Sequence, residues 1–235
     1  MYRLPALSDL RRFDSGTPAK ADAFGALPEW DLTDLYATPD APEIERDFGW
    51  LEKACAAFAA DYEGKLAALD AAGFLACVQR YEEIDITAGR LMSFAGLRYY
   101  QNTTDPARAK FMADAQDRVT VATTPLVFFS LEINRIEDAV FDALLAANAD
   151  LARYKPVFDR LRAMRPHQLS DELEKFLHDQ STVGAAAWNR LFDETMAGLS
   201  FEIAGEAEPL SLEAALNLLT DPDRTKREGA ARSLA

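Results

Sequence analysis

The sequence predicts an all-α fold: long antiparallel helices in a meandering bundle, with one short β-hairpin near the C-terminal end. Three observations carry this. Apolar residues recur at steps of three and four along most of the 235 residues, which puts them on single helical stripes. Asp, Ser, Thr and Pro stand at the helix starts, where the first-turn amides lack partners within the helix. The period changes to alternation once, at Leu199-Ser200-Phe201-Glu202-Ile203.

The elements follow in order. Residues 1–28 are rich in Pro, Gly, Asp and Ala, show no period, and read as an N-terminal arm. Trp30-Asp31-Leu32-Thr33-Asp34-Leu35-Tyr36 concentrates large apolar anchors and is expected to dock on the body. The first long helix is expected to start at Asp40, capping the amide of Glu43, with Pro42 in the first turn. Its stripe is Ile44, Phe48, Leu51, Cys55, Phe58 and Tyr62. A second helix over Asp70–Tyr100 carries Phe74, Val78, Tyr81, Ile84, Ala88, Leu91 and Ala95. Gly89 and Gly96 each weaken it by about 1 kcal/mol relative to Ala, and close approach of another backbone would explain them.

Thr104 is expected to cap a third helix, with Asp105 complementing its dipole and Pro106 in its first turn. The stripe Phe111, Ala115, Val119, Ala122, Leu126, Phe129, Ile133 keeps its phase across Pro125, which predicts one kinked helix. Shorter helices follow over Asp138–Ala147 and Tyr154–Met164. Pro166-His167-Gln168-Leu169 is a turn, and Ser170 caps a helix that begins with Asp171 and Glu172 and points Leu173, Phe176 and Leu177 inward. The next helix holds Ala187, Trp188, Leu191, Phe192 and Met196. After it, Gly205 turns the hairpin, so that Pro209-Leu210 pairs back, and Ser211 caps a helix to Leu219. Thr220-Asp221-Pro222-Asp223 caps the last helix, whose apolar stripe begins at Ala230, Ala231 and Leu234. That late stripe sets the expectation that this is the front part of a longer protein, divided into an arm at 1–28, a helical domain at 29–198, and a hairpin with helices at 199–235.

Composition narrows the function classes. Lys and Arg total 25 against 39 Asp and Glu, a net charge of −14. Such an excess disfavours nucleic acid and anionic lipid as partners. The N-terminus lacks the apolar stretch of a signal peptide, and the longest apolar run, Ala54–Ala60, falls short of a membrane span, so cytoplasm is the expected location. Cys55 and Cys77 read as small buried hydrophobes.

No residue of the chain is assigned a catalytic, cofactor-binding or metal-binding role. Phosphate loops, G-x-S-x-G elbows and H-E-x-x-H are absent, and the two histidines are His167 and His178. One weak metal-like cluster exists: Asp171, Glu174 and His178, at spacings of three and four, share a helical face. The helix dipole alone accounts for its carboxylates. Glu82-Glu83 and the run Glu43, Glu45, Asp47 read as solvated surface. Tyr99-Tyr100 and Trp188 read as core, with a ligand groove as the alternative.

Several motifs resemble one family. Trp30-Asp31-Leu32-Thr33-Asp34-Leu35-Tyr36, Pro166-His167-Gln168-Leu169-Ser170 with Glu172 and Glu174, Trp188-Asn189-Arg190-Leu191-Phe192, Leu210-Ser211-Leu212-Glu213-Ala214 and Asp221-Pro222-Asp223-Arg224 are similar, in order and spacing, to the oligoendopeptidase F family, relatives of thimet oligopeptidase. The resemblance covers residues 29–235. It implies the N-terminal, non-catalytic part of a zinc-dependent endopeptidase that cuts short peptides in a channel between two helical halves. Its partners would be its own C-terminal catalytic domain, which would carry the zinc, and short peptides. The alternatives are a stand-alone helical interaction or scaffold protein, and a small metal-binding enzyme built on Asp171, Glu174 and His178.

Overall fold

The computed structural model describes residues 31–235, so the arm expected at 1–28, and Trp30, lie outside the described residues. These residues form two units, 31–190 and 191–235. The first contains α1 (Pro42–Tyr62), α2 (Ala71–Gln101), α3 (Pro106–Thr123), α4 (Val127–Arg135), α5 (Asp138–Ala147), α6 (Ala149–Ala152), α7 (Lys155–Ala163) and α8 (Asp171–Gln180). The division falls within α9 (Ala185–Gly198). The architecture is mostly helical, as the periodicity predicts.

Two expected caps sit one residue later than expected. Ala41, not Asp40, precedes α1 and makes no side-chain cap bond. Asp105, not Thr104, caps α3, accepting from the amides of Ala107 and Arg108. The cause is the same in both. The residue before a proline is pushed out of the helical region, so Pro42 and Pro106 fix the last extended residue immediately before them. Ser170 caps as expected, through Leu173, and Asp70 caps α2 through Gly73.

At Pro125 the expected kinked helix is interrupted. Residues Thr124–Leu126 form a 3₁₀ turn between α3 and α4. Proline has no N–H to give the helix ladder, and the Thr123 and Thr124 hydroxyls bond back to the carbonyls of Val119 and Thr120 at 2.8 and 2.9 Å. The stripe nevertheless keeps its phase, because Ala115, Ala122, Leu126, Phe129 and Ile133 are all buried.

The first core is built on aromatic rings. Phe58 of α1 meets Tyr62, Tyr81 and Phe129 with ring centroids 4.9, 5.8 and 5.6 Å apart. A second group joins Phe74 to Phe141 and Phe158. Cys55 and Cys77 are fully buried among these residues, as their helical spacing predicts. Gly89 and Gly96 are not points of close backbone approach: a β-carbon at Gly89 would meet nothing within 4 Å, and one at Gly96 would meet only the Tyr100 ring.

The segment 31–36 docks as expected. Tyr36 is buried and donates its hydroxyl to Asp47 at 2.8 Å, and Arg90 lies 4.3 Å from the Tyr36 ring centroid. Arg90 also donates to the Leu35 carbonyl through Nε and Nη2, at 3.1 and 2.5 Å. Asp47 is therefore not solvated surface as expected. It anchors this docked segment by accepting from the Tyr36 hydroxyl and from Arg90, the donors that a partly buried carboxylate needs around it. Glu43, Glu82 and Glu83 are exposed, and Glu45 pairs with Arg118.

In the second unit, β1 (Ser200–Phe201) pairs antiparallel with β2 (Leu210–Ser211), and Phe201 stands opposite Leu210. Gly205 turns with φ +97°, a region open to glycine. Then come α10 (Leu212–Leu218), capped by Ser211, and α11 (Arg224–Leu234), capped by Asp223 alone. Thr220 bonds instead to the Asn217 carbonyl. Ile203, Ala215, Leu218 and Ala230 form this unit's core, with Leu234 packed against it. The expected stripe of α11 is thus partly in use, while Ala231 is exposed.

Candidate functional site

A cleft of about 660 Å³ lies within the first unit. α2 contributes Tyr81, Ile84, Asp85, Ala88, Gly89 and Met92, α3 and α4 supply Val119, Thr123, Val127 and Ser130, and α8 closes one side with Glu174, Leu177 and His178. Its lining is mostly apolar with two carboxylates, Asp85 and Glu174, and among the described residues no Lys or Arg lines it. Gly89 leaves part of the α2 wall without a side chain.

α8 is held here by polar contacts. Asp171 pairs with Arg135 of α4 through two guanidinium nitrogens. That pairing holds the Asp171 carboxyl below its ordinary pKa, the guanidinium hydrogen bond being the main cause. Glu174 accepts from the Leu169 amide at 2.9 Å, just ahead of the helix. His178 reaches the Thr120 carbonyl and the Thr123 hydroxyl, each at 3.2 Å. Asp179 accepts from the Thr124 hydroxyl, and Lys175 pairs with Glu63.

These partners decide what the side chains can do. A carbonyl oxygen only accepts, so Nε2 of His178 donates to Thr120. That nitrogen cannot then take a proton from Thr123, whose hydroxyl donates to Val119. The pair is a clasp, not a nucleophile with its base.

The weak cluster Asp171, Glu174 and His178 is on one helix face as its spacing predicts, but each member has a different partner. As held, the three donors do not fit a zinc ion, which takes several ligands converging at about 2 Å. No three His, Cys, Asp or Glu side chains that could share a metal ion occur among the described residues.

His167 ends a 3₁₀ turn, its amide donating to the Met164 carbonyl at 2.9 Å. Tyr99 is buried, as read, but Tyr100 and Trp188 are exposed. Neither of these exposed rings lines the cleft. Leu173, Phe176 and Leu177, expected to face inward, are 52%, 57% and 50% exposed. The polar side of α8 is the one held against the first unit. Hydropathy alone pointed the other way, and only the long-range pairs to Arg135, Thr120, Thr124 and Glu63 reveal it.

Comparison with known proteins gives these features a frame. A family model described as Oligopeptidase F matches residues 132–201. Group B oligopeptidase PepB of Streptococcus agalactiae serotype III (strain NEM316) is 24% identical over 213 residues, covering 88% of this chain and 34% of that protein. The crystal structure of oligoendopeptidase-F from Enterococcus faecium superposes with a TM-score of 0.71 at 21% identity, covering 84% of this chain and 38% of that one. By these likenesses the chain is similar to members of a peptidase family. More narrowly, it resembles an N-terminal segment of the oligoendopeptidase F family, as its motifs suggest. It spans about a third of the length of the relative it matches. Among the described residues, no helix is long and apolar enough to cross a membrane.

Proposed function

We propose that this chain is the N-terminal, non-catalytic part of a zinc-dependent oligoendopeptidase that hydrolyses short peptides, and that it walls the substrate channel. The observation that carries the reading is the extent of the likeness: most of this chain is similar to about a third of an oligopeptidase. A wall of packed helices would select substrates by exclusion. A folded protein cannot enter a narrow channel without giving up its core, whereas a short unfolded peptide can.

In this reading the zinc and the catalytic groups belong to a C-terminal half, the chain's principal partner, and the protein works in the cytoplasm without nucleic acid or membrane. The test is hydrolysis of a quenched-fluorescent oligopeptide with and without a chelator. The 235-residue chain alone is expected to leave the peptide intact. A longer polypeptide that contains it is expected to cleave the peptide and to lose that activity to the chelator. Chelator-sensitive cleavage by the 235 residues alone overturns the division of labour. Failure of the longer polypeptide to cleave overturns the peptidase reading.

A further inference from the structure

α8 is mounted the wrong way round for a surface helix. Such a helix ordinarily turns its apolar stripe inward and its charges out. Here Asp171, Lys175, His178 and Asp179 reach Arg135, Glu63, Thr120 and Thr124 of the body. The opposite face carries Leu173, Phe176 and Leu177 at spacings of three and four, each at least half exposed. Leu177 also lines the cleft, so this face runs on into its mostly apolar lining.

From this inverted mounting we infer that the α8 face of Leu173, Phe176 and Leu177, with the adjoining cleft, is the docking surface for the remainder of a longer polypeptide. The inference rests on the proposed function for the existence of that remainder, and adds the surface that receives it. Two observations choose this occupant. The relatives matched are more than twice the length of this chain, so in them a large body of further chain exists to cover such a face. A second copy is a poor fit: a two-fold dimer would set α8 against itself, bringing Glu172 and Glu174, which flank this face, toward the same acids of the other copy on a chain of net charge −14.

The experiment compares two lengths of protein, the 235-residue chain and the longer polypeptide, by carbene footprinting and by thermal melting of Phe176→Asp. In the short chain, Leu173, Phe176 and Leu177 should label heavily, and F176D should move the melting midpoint by less than about 2 °C, as for an exposed substitution. In the longer polypeptide, labelling of the three residues should drop several-fold, and F176D should lower the midpoint by about 5 °C or more. Equal labelling at both lengths overturns the inference. So does a reading frame that encodes no further chain, or a short chain that light scattering shows to be a dimer made monomeric by F176D. Protection without peptidase activity would remove the proposed function and leave this surface assignment standing. Activity without protection would do the reverse.

Discussion

The carboxylate of Glu132 on α4 holds the backbone at Gly64, the left-handed residue that follows α1. One oxygen accepts from the Gly64 amide at 2.5 Å and the other from the Leu66 amide at 3.2 Å, across more than sixty residues of sequence. Gly64 sits at φ +77°, so the turn needs both its glycine and a distant acceptor. Hydrogen bonds to a charged group contribute about 1.5–3 kcal/mol, and the partial exposure here puts the expectation at the low end. Glu132→Ala should therefore lower the thermal midpoint by about 3–6 °C. Glu132→Gln, which keeps one acceptor, should lose less. An alanine variant that melts like the parent would show that the clamp contributes nothing.

Arg162 of α7 plays the same part at the end of α4. It donates to the carbonyls of Ile133 and Ile136 at 2.6 and 2.8 Å, pairs with Asp138, and lies over the Phe141 ring at 4.7 Å. Replacement by alanine leaves two carbonyls without their donor, a loss of about 2 kcal/mol. Arg162→Lys should recover only part of it, since an ammonium lacks the planar fork. Chemical denaturation of the two variants separates these outcomes, and equal stability of both would refute the role of the fork.

Burial pushes the Cys55 thiol up to about 11 and the Cys77 thiol up to about 12, from an ordinary 9.0. A pKa raised in the folded state means that the unfolded chain releases its proton first. The stabilisation is complete below the unfolded value and is lost as pH rises through the folded one. Denaturation midpoints should therefore fall progressively above about pH 9. The Cys55→Ala, Cys77→Ala double variant should show a shallower fall. In the native protein at about pH 8, both thiols should resist an aromatic disulfide reagent that titrates them in denaturant. Rapid native reaction would contradict the burial.

Gly89 lies inside α2 with open space where a β-carbon would be. Gly89→Ala should stabilise the chain by about 0.5–1 kcal/mol, because alanine loses less backbone freedom on entering a helix. The melting midpoint should rise by about 1–4 °C. A fall would mean that this wall of the cleft is occupied in solution.

Much of the fold was legible. The stripes of α1 and α2 alternate between core and solvent as their periods require, because a helix offers the same face every three or four residues. The hairpin was legible for the same kind of reason, in its single change of period. The caps at α1 and α3 were misplaced by one residue because Pro42 and Pro106 set the helix start at the residue before them, whatever that residue is. The inward reading of Leu173, Phe176 and Leu177 failed because an amphipathic pattern names two faces without saying which one meets the body. Asp47 was hidden for a related reason: its partners Tyr36 and Arg90 are far off in sequence, and nothing local marks it as an anchor.

By itself the sequence determined where helices form, which residues make each stripe, and which family the motifs resemble, since all of these are set by interactions within a few turns of chain. Only the tertiary structure decided which face of α8 turns to the body and that Glu132 closes the turn at Gly64. It also showed that Asp171, Glu174 and His178 serve three separate partners. These are choices among distant groups, settled where charge, hydrogen bonding and packing compete in three dimensions, and no local pattern records the outcome.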